Sequence, residues 1–149
     1  FAPGQLAFEL VESIFLDETD ELVRWNIDQI KELGIDIEID DFGTGYASIV
    51  SLMRLKPKRL KIDRELVQPV VESAVQRQLV KSIVDIGRSL DIEVLGEGVE
   101  TMAHAAILRK LGCATLQGYA FATPMSGEAL EGFLKEKPWM PAEGKRARS

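Results

Sequence analysis

From residue 35 onward, Ile35, Ile37 and Ile39 alternate with Asp36, Glu38 and Asp40. This is the period-two pattern of a strand with one apolar face and one carboxylate face. Short apolar runs predict further strands over residues 6–11, 60–63, 92–95 and 115–119. Phe8 and Leu10 face away from Ala7 and Glu9, and Leu60 and Ile62 face away from Lys61 and Asp63. Between strands the period lengthens. Val23, Ile27 and Ile30 predict a helix that Asp17 and Thr19 can cap and Gly34 ends. Ile49, Leu52 and Met53 predict a helix over residues 47–55, broken by Lys56, Pro57 and Lys58. Val75, Leu79, Ile83, Ile86 and Leu90 recur at helical spacing, predicting the longest helix over residues 73–90. Thr101 opens a helix that stops at Gly112, and Ser126 opens a last one to about residue 134.

Strand and helix thus alternate five times with short connections, which predicts an α/β fold with a parallel sheet of βα units. Residues 1–134 are expected to form one domain. From Lys135 the chain carries two prolines and mixed charge with little to bury, so residues 135–149 are expected to be a flexible tail.

Charge narrows the partners. The 149 residues carry a formal net charge of −6, which argues against a general DNA- or RNA-binding surface. A small anionic ligand remains compatible where a metal reverses the local field. The single cysteine, Cys113, rules out an intrachain disulfide and reads as a small core hydrophobe. No apolar run approaches the ~20 residues of a membrane span, and no signal-peptide pattern is present. The first residue is Phe1 rather than Met, so the sequence is expected to come from a longer or trimmed product.

The chemistry collects at the strand ends. Glu9, the pair Asp40 and Asp41, Lys61, Glu97 and Gln117 each lie at or near the end of a predicted strand. In a βα barrel such ends converge on one mouth, where active sites lie. Adjacent carboxylates repel unless a cation sits between them, and hard cations such as Mg²⁺ take oxygen ligands. The alternative is a solvated turn, with Asp and Gly present for backbone reasons.

Five segments carry a resemblance: Glu9-Leu10-Val11-Glu12, Asp40-Asp41-Phe42-Gly43-Thr44-Gly45-Tyr46, Lys61-Ile62-Asp63-Arg64, Glu97-Gly98-Val99-Glu100 and Gln117-Gly118-Tyr119. In order and spacing they resemble EAL domains, bacterial phosphodiesterases that open cyclic di-GMP to linear pGpG. The resemblance implies part of a TIM-type βα barrel, about five of its strands, with Mg²⁺ or Mn²⁺ at the strand ends. By motif, Glu9, Asp40 and Asp41 resemble metal ligands. Lys61 resembles the lysine that holds a metal-bound water and the phosphate region, and Glu97 the acid that activates the attacking water. Glu12 resembles the anchor of the loop after Asp41, while Glu100 and Gln117 resemble supporting residues. The resemblance also implies a cytoplasmic domain in a signalling protein, which is itself cytoplasmic or membrane-tethered. Upstream sensory or GGDEF-type domains belong to the same expectation, and the open strand edges of an incomplete barrel predict a homodimer or other self-association. A degenerate relative that binds cyclic di-GMP or a protein without hydrolysis is the rival.

Some features depart from the family or stand apart. The family's naming motif and a strand bearing a metal-binding asparagine are expected upstream of Phe1, so this chain alone is expected to be inactive. Glu38 stands where many relatives have a small apolar residue, and either Lys61 or Arg59 is a candidate partner. Asp41-Phe42-Gly43 spells a kinase triplet, but no other kinase motif accompanies it. His104 reads as a surface residue, and Trp25 as packed or half-packed on its helix.

Overall fold

The computed structural model describes residues 2–16, 21–43, 45 and 48–136. Five parallel strands lie in sequence order in one sheet: β1 (Ala7–Val11), β2 (Asp36–Phe42), β3 (Arg59–Ile62), β4 (Glu93–Gly96) and β5 (Thr115–Leu116). Helices α1 (Glu21–Glu32), α2 (Ile49–Leu55), α3 (Arg64–Val67), α4 (Ala74–Ser89), α5 (Met102–Leu111) and α6 (Gly127–Glu136) connect or follow them. This is the architecture of part of a βα barrel.

Local chemistry explains most of the boundaries. Ser48, Ser73 and Thr101 each turn a side-chain oxygen onto a backbone amide at the start of α2, α4 and α5. The caps expected from Asp17 and Thr19 lie outside the described residues, as do Thr44, Tyr46 and residues 137–149. α6 reaches Glu136, so the first two positions of the expected tail are helical. Two short turns had no periodic signal: the 3-10 segments Glu12–Leu16 and Gln68–Val71.

The outward face of the sheet forms the core. Ile39 and Leu60 pack with Leu52 of α2, while Ile62 and Val94 pack with residues of α4 and α5. Buried Cys113 belongs to this second cluster, and burial pushes its thiol pKa up to about 11. The face of α4 differs from the apolar spacing. Val80, Ile83, Val84 and Gly87 are buried, whereas Val75 and Leu79 are exposed. Trp25 is also exposed rather than packed. His104 is another correction: it is 7% exposed and belongs to the interior.

The inward face of β2 and β3 is charged along its length. Glu38 and Arg59 are cross-strand partners, as are Arg59 and Glu93. Arg59 donates to Glu38 at 2.8 Å and to Glu93 at 3.0 Å, and Thr115 donates to Glu93. Of the two partners open to Glu38, the structure chooses Arg59. This ionic rung ties β2 to β5 directly beneath the strand ends.

Candidate active site at the strand ends

Lys61 is the centre of the site. Alternation along β3 points it inward, and its side chain is only 6% exposed. Its Nζ lies 2.9 Å from Glu9 Oε1, 3.0 Å from Asp40 Oδ1 and 2.9 Å from Glu97 Oε1. Burial opposes the ammonium charge, but the carboxylates of Glu9, Glu97 and Asp40 beside it outweigh that and raise the Lys61 pKa. One lysine therefore gathers carboxylates from β1, β2 and the end of β4.

Asp41 joins them through a backbone irregularity. In regular strand, Asp40 and Asp41 would point to opposite faces. Here Ile39 pairs with Leu60 and Phe42 with Ile62, so β2 spends one more residue than β3 over the same span. The extra residue is a bulge, and Asp41 takes a left-handed conformation with φ 54°. Carboxylate oxygens of Asp40, Asp41 and Glu97 thereby come within 4.8 Å of one another. Burial raises the Asp41 pKa, as do the neighbouring charges of Asp40 and Asp63. Burial likewise raises Glu97, although Lys61 pulls it down.

Two loops frame the cluster. Glu12 is buried, and its Oε2 accepts from the amides of Gly43 and Gly45, both at 3.1 Å. Gly43 has φ 114°, and a Cβ there would meet Leu66 at 2.2 Å, so only glycine fits. On the other side, the Val99 amide donates to the Gln117 carbonyl, and the Ala120 amide donates to the Val99 carbonyl. These crossings press Gly118 onto Val99, where a Cβ would lie 2.3 Å from backbone atoms.

The expected site residues therefore divide. Glu9, Asp40, Asp41, Lys61 and Glu97 come together, and Glu12 holds the loop beside them. Glu100 instead pairs with Arg64 at 2.8 Å, and Gln117 contributes its backbone while its residue is exposed. Asp63 was missed as a neighbour of Asp41; its inward position opposite Leu60 and Ile62 was the available signal. Two cavities lie elsewhere. One of about 900 Å³ sits at the opposite end of the strands, beside Gly34, Pro57 and Asp91. The other, of about 160 Å³, lies between α1 and α2.

The EAL domain family matches residues 1–124. The chain belongs to the EAL family. It is 38% identical over 128 residues to the Pseudomonas aeruginosa bifunctional diguanylate cyclase/cyclic di-GMP phosphodiesterase MucR, covering 86% of this chain and 18% of that protein. The Escherichia coli cyclic di-GMP phosphodiesterase PdeR is 39% identical over 127 residues, covering 85% of this chain and 19% of PdeR. Among solved structures, the MucR phosphodiesterase complex with c-di-GMP superposes with a TM-score of 0.79 at 38% identity, covering 86% of this chain and 51% of that one. A manganese and cyclic di-GMP complex of Klebsiella pneumoniae BlrP1 gives 0.76 at 32% identity, covering 83% and 31%. The EAL chain thus spans about a fifth of these curated relatives. The letters Glu128-Ala129-Leu130 occur in it, but within α6 rather than at a strand end.

Proposed function

We propose that these residues form part of a divalent-metal site that hydrolyses cyclic di-GMP to its linear dinucleotide. The observation that carries it is the gathering of Glu9, Asp40 and Glu97 around Lys61, with Asp41 brought beside them by the bulge. The donor set suits Mg²⁺ or Mn²⁺: all are carboxylate oxygens, and Asp40 Oδ1 is buried without a hydrogen bond of good geometry, although Lys61 lies 3.0 Å away. Asp40, Asp41 and Glu97, with Glu9 at the edge, are the residues that would hold the cation. The chemistry a divalent ion supplies there is neutralisation of phosphate oxygens and acidification of water.

This chain's own groups do the rest. Lys61 places a fixed positive charge where the phosphate oxygens gain negative charge. Glu97, held beside Lys61 and the two aspartates, is placed to take the proton from the attacking water. Glu12 holds the backbone of the Gly43–Gly45 loop at the rim. The relatives' names support the substrate: MucR and PdeR are described as cyclic di-GMP phosphodiesterases. The same reading makes the domain cytoplasmic and coupled to sensory or cyclase domains; among the described residues, no helix is long and apolar enough to cross a membrane.

Chromatographic assay for pGpG with Mn²⁺ tests it, on this chain and on a complete EAL domain carrying these residues. The complete domain is expected to turn over and the 149-residue chain to turn over negligibly. Asp40→Asn should abolish turnover and weaken Mn²⁺ binding. Tight cyclic di-GMP binding without product from the complete domain would make it a binding module instead.

A further inference from the structure

Glu97 stands on the segment that joins β4 to α5, and that segment is held from beneath by a chain of three side chains. Thr101 Oγ1 lies 2.8 Å from His104 Nδ1. His104 Nε2 lies 3.0 Å from the Gln68 carbonyl oxygen. The Gln68 side-chain amide donates to the Gly98 carbonyl at 2.7 Å. Gly98 is the residue after Glu97.

The partners decide the state of the ring. A carbonyl only accepts, so Nε2 must carry a proton. Thr101 Oγ1 already accepts from the His104 amide at 3.3 Å and has a hydroxyl proton to give to Nδ1. The neutral Nε2–H tautomer therefore satisfies every group in the chain. A buried imidazole with both nitrogens partnered is a rigid link, because moving either partner leaves a buried polar atom unpaired.

The link has a direction. His104 grips the backbone of Gln68, and Gln68 reaches across to the backbone beside Glu97. Above, the Glu97 amide donates to Ile62 at 3.2 Å, and the Val99 amide to Gln117 at 3.0 Å. Glu97 is thus presented to Lys61 by a segment fixed from both sides.

We propose that His104 is a positioning residue for Glu97: through Gln68 it sets the backbone that aims Glu97 at Lys61 and the neighbouring aspartates. Its functional consequence rests on the metal-site reading above, but the positioning itself does not. Two measurements on the 149-residue chain separate them, Mn²⁺ titration by calorimetry and amide exchange without metal. His104→Phe keeps a ring and removes the donor, while His104→Gln keeps an N–H at similar reach. His104→Phe should weaken Mn²⁺ binding severalfold, less than the roughly tenfold or more for losing a direct outer partner of a metal ligand, because His104 acts through Gln68 and the Gly98 backbone. It should also speed exchange at the hydrogen-bonded Glu97 and Val99 amides while leaving that of Leu95 in β4 unchanged. His104→Gln should restore both.

If wild type binds no Mn²⁺, these residues do not hold the ion on their own, and the exchange data judge the positioning. Exchange at Glu97 and Val99 unchanged in His104→Phe, or raised equally throughout β4 and α5, would overturn the proposal. Should His104→Phe fail to fold, Gln68→Met cuts only the Gly98 link and takes its place, with the same expectations.

Discussion

Glu12 and Gly43 stand 31 residues apart in the chain, yet the Gly43 amide donates to Glu12 Oε2 at 3.1 Å. The Gly45 amide shares that oxygen, so one buried carboxylate holds the rim of the site. Glu12→Ala should cost about 1.5–3 kcal/mol, the range of hydrogen bonds to a charged group. Glu12→Gln keeps an acceptor and should cost less. Urea unfolding gives the costs, and faster exchange at Gly43 and Gly45 should accompany the alanine variant. Equal stability in both variants would remove the anchor.

Asp41 makes a cleaner case for the metal. Its φ of 54° is tolerated by Asn better than by other non-glycine residues. Its raised pKa shows that its charge is unwelcome in the metal-free fold. Asp41→Asn should therefore leave the metal-free melting temperature equal or slightly higher, solvent screening keeping the gain small, while weakening Mn²⁺ binding at least tenfold. A lower melting temperature with unchanged affinity would contradict both halves.

The ionic rung beneath the site should show in the pH dependence. Hydrogen bonds from Thr115 and then Arg59 hold the Glu93 pKa below its ordinary 4.5. A depressed carboxyl contributes stability above its unfolded pKa and loses it as pH falls through the folded one. Glu93→Gln should thus cost about 1 kcal/mol at pH 7, and the difference should shrink steadily below about pH 4.5. A gap independent of pH would mean that packing, not charge, supports the rung.

The sheet ends in β1 on one side and β5 on the other, with no further strand beside either among the described residues. Exposed strand edges recruit other chains. Light scattering on the isolated 149-residue chain should show mass rising with concentration. A concentration-independent monomer would show that these edges are protected.

The strands were legible where apolar outward positions alternate with charged inward ones, as in Glu38 beside Ile39, although Leu95 breaks the pattern by sharing the inward face with Lys61. The neighbourhood of Glu9, Asp40, Lys61 and Glu97 followed, since alternation and a common strand end suffice to assemble it. The bulge at Asp41 did not follow. It depends on one left-handed backbone angle, which the Asp-Asp pair permits but does not announce. His104 was misjudged for a related reason. Its surroundings are made by Gln68–Val71, a 3-10 turn too short to have any periodicity. On α4, Val75 and Leu79 fit the apolar spacing, yet the helix rolls to seat Gly87 against Val94 and leaves them outside.

Lys61 also acts as a resident counter-ion. Its ammonium occupies the electrostatic centre of Glu9, Asp40 and Glu97, so mutual repulsion does not drive the carboxylates apart. A divalent ion would arrive as a competitor for oxygens already engaged rather than as the first positive charge in an acidic void. Affinity is thereby moderated and the geometry kept ready, and loading and release should proceed with little movement of the surrounding chain.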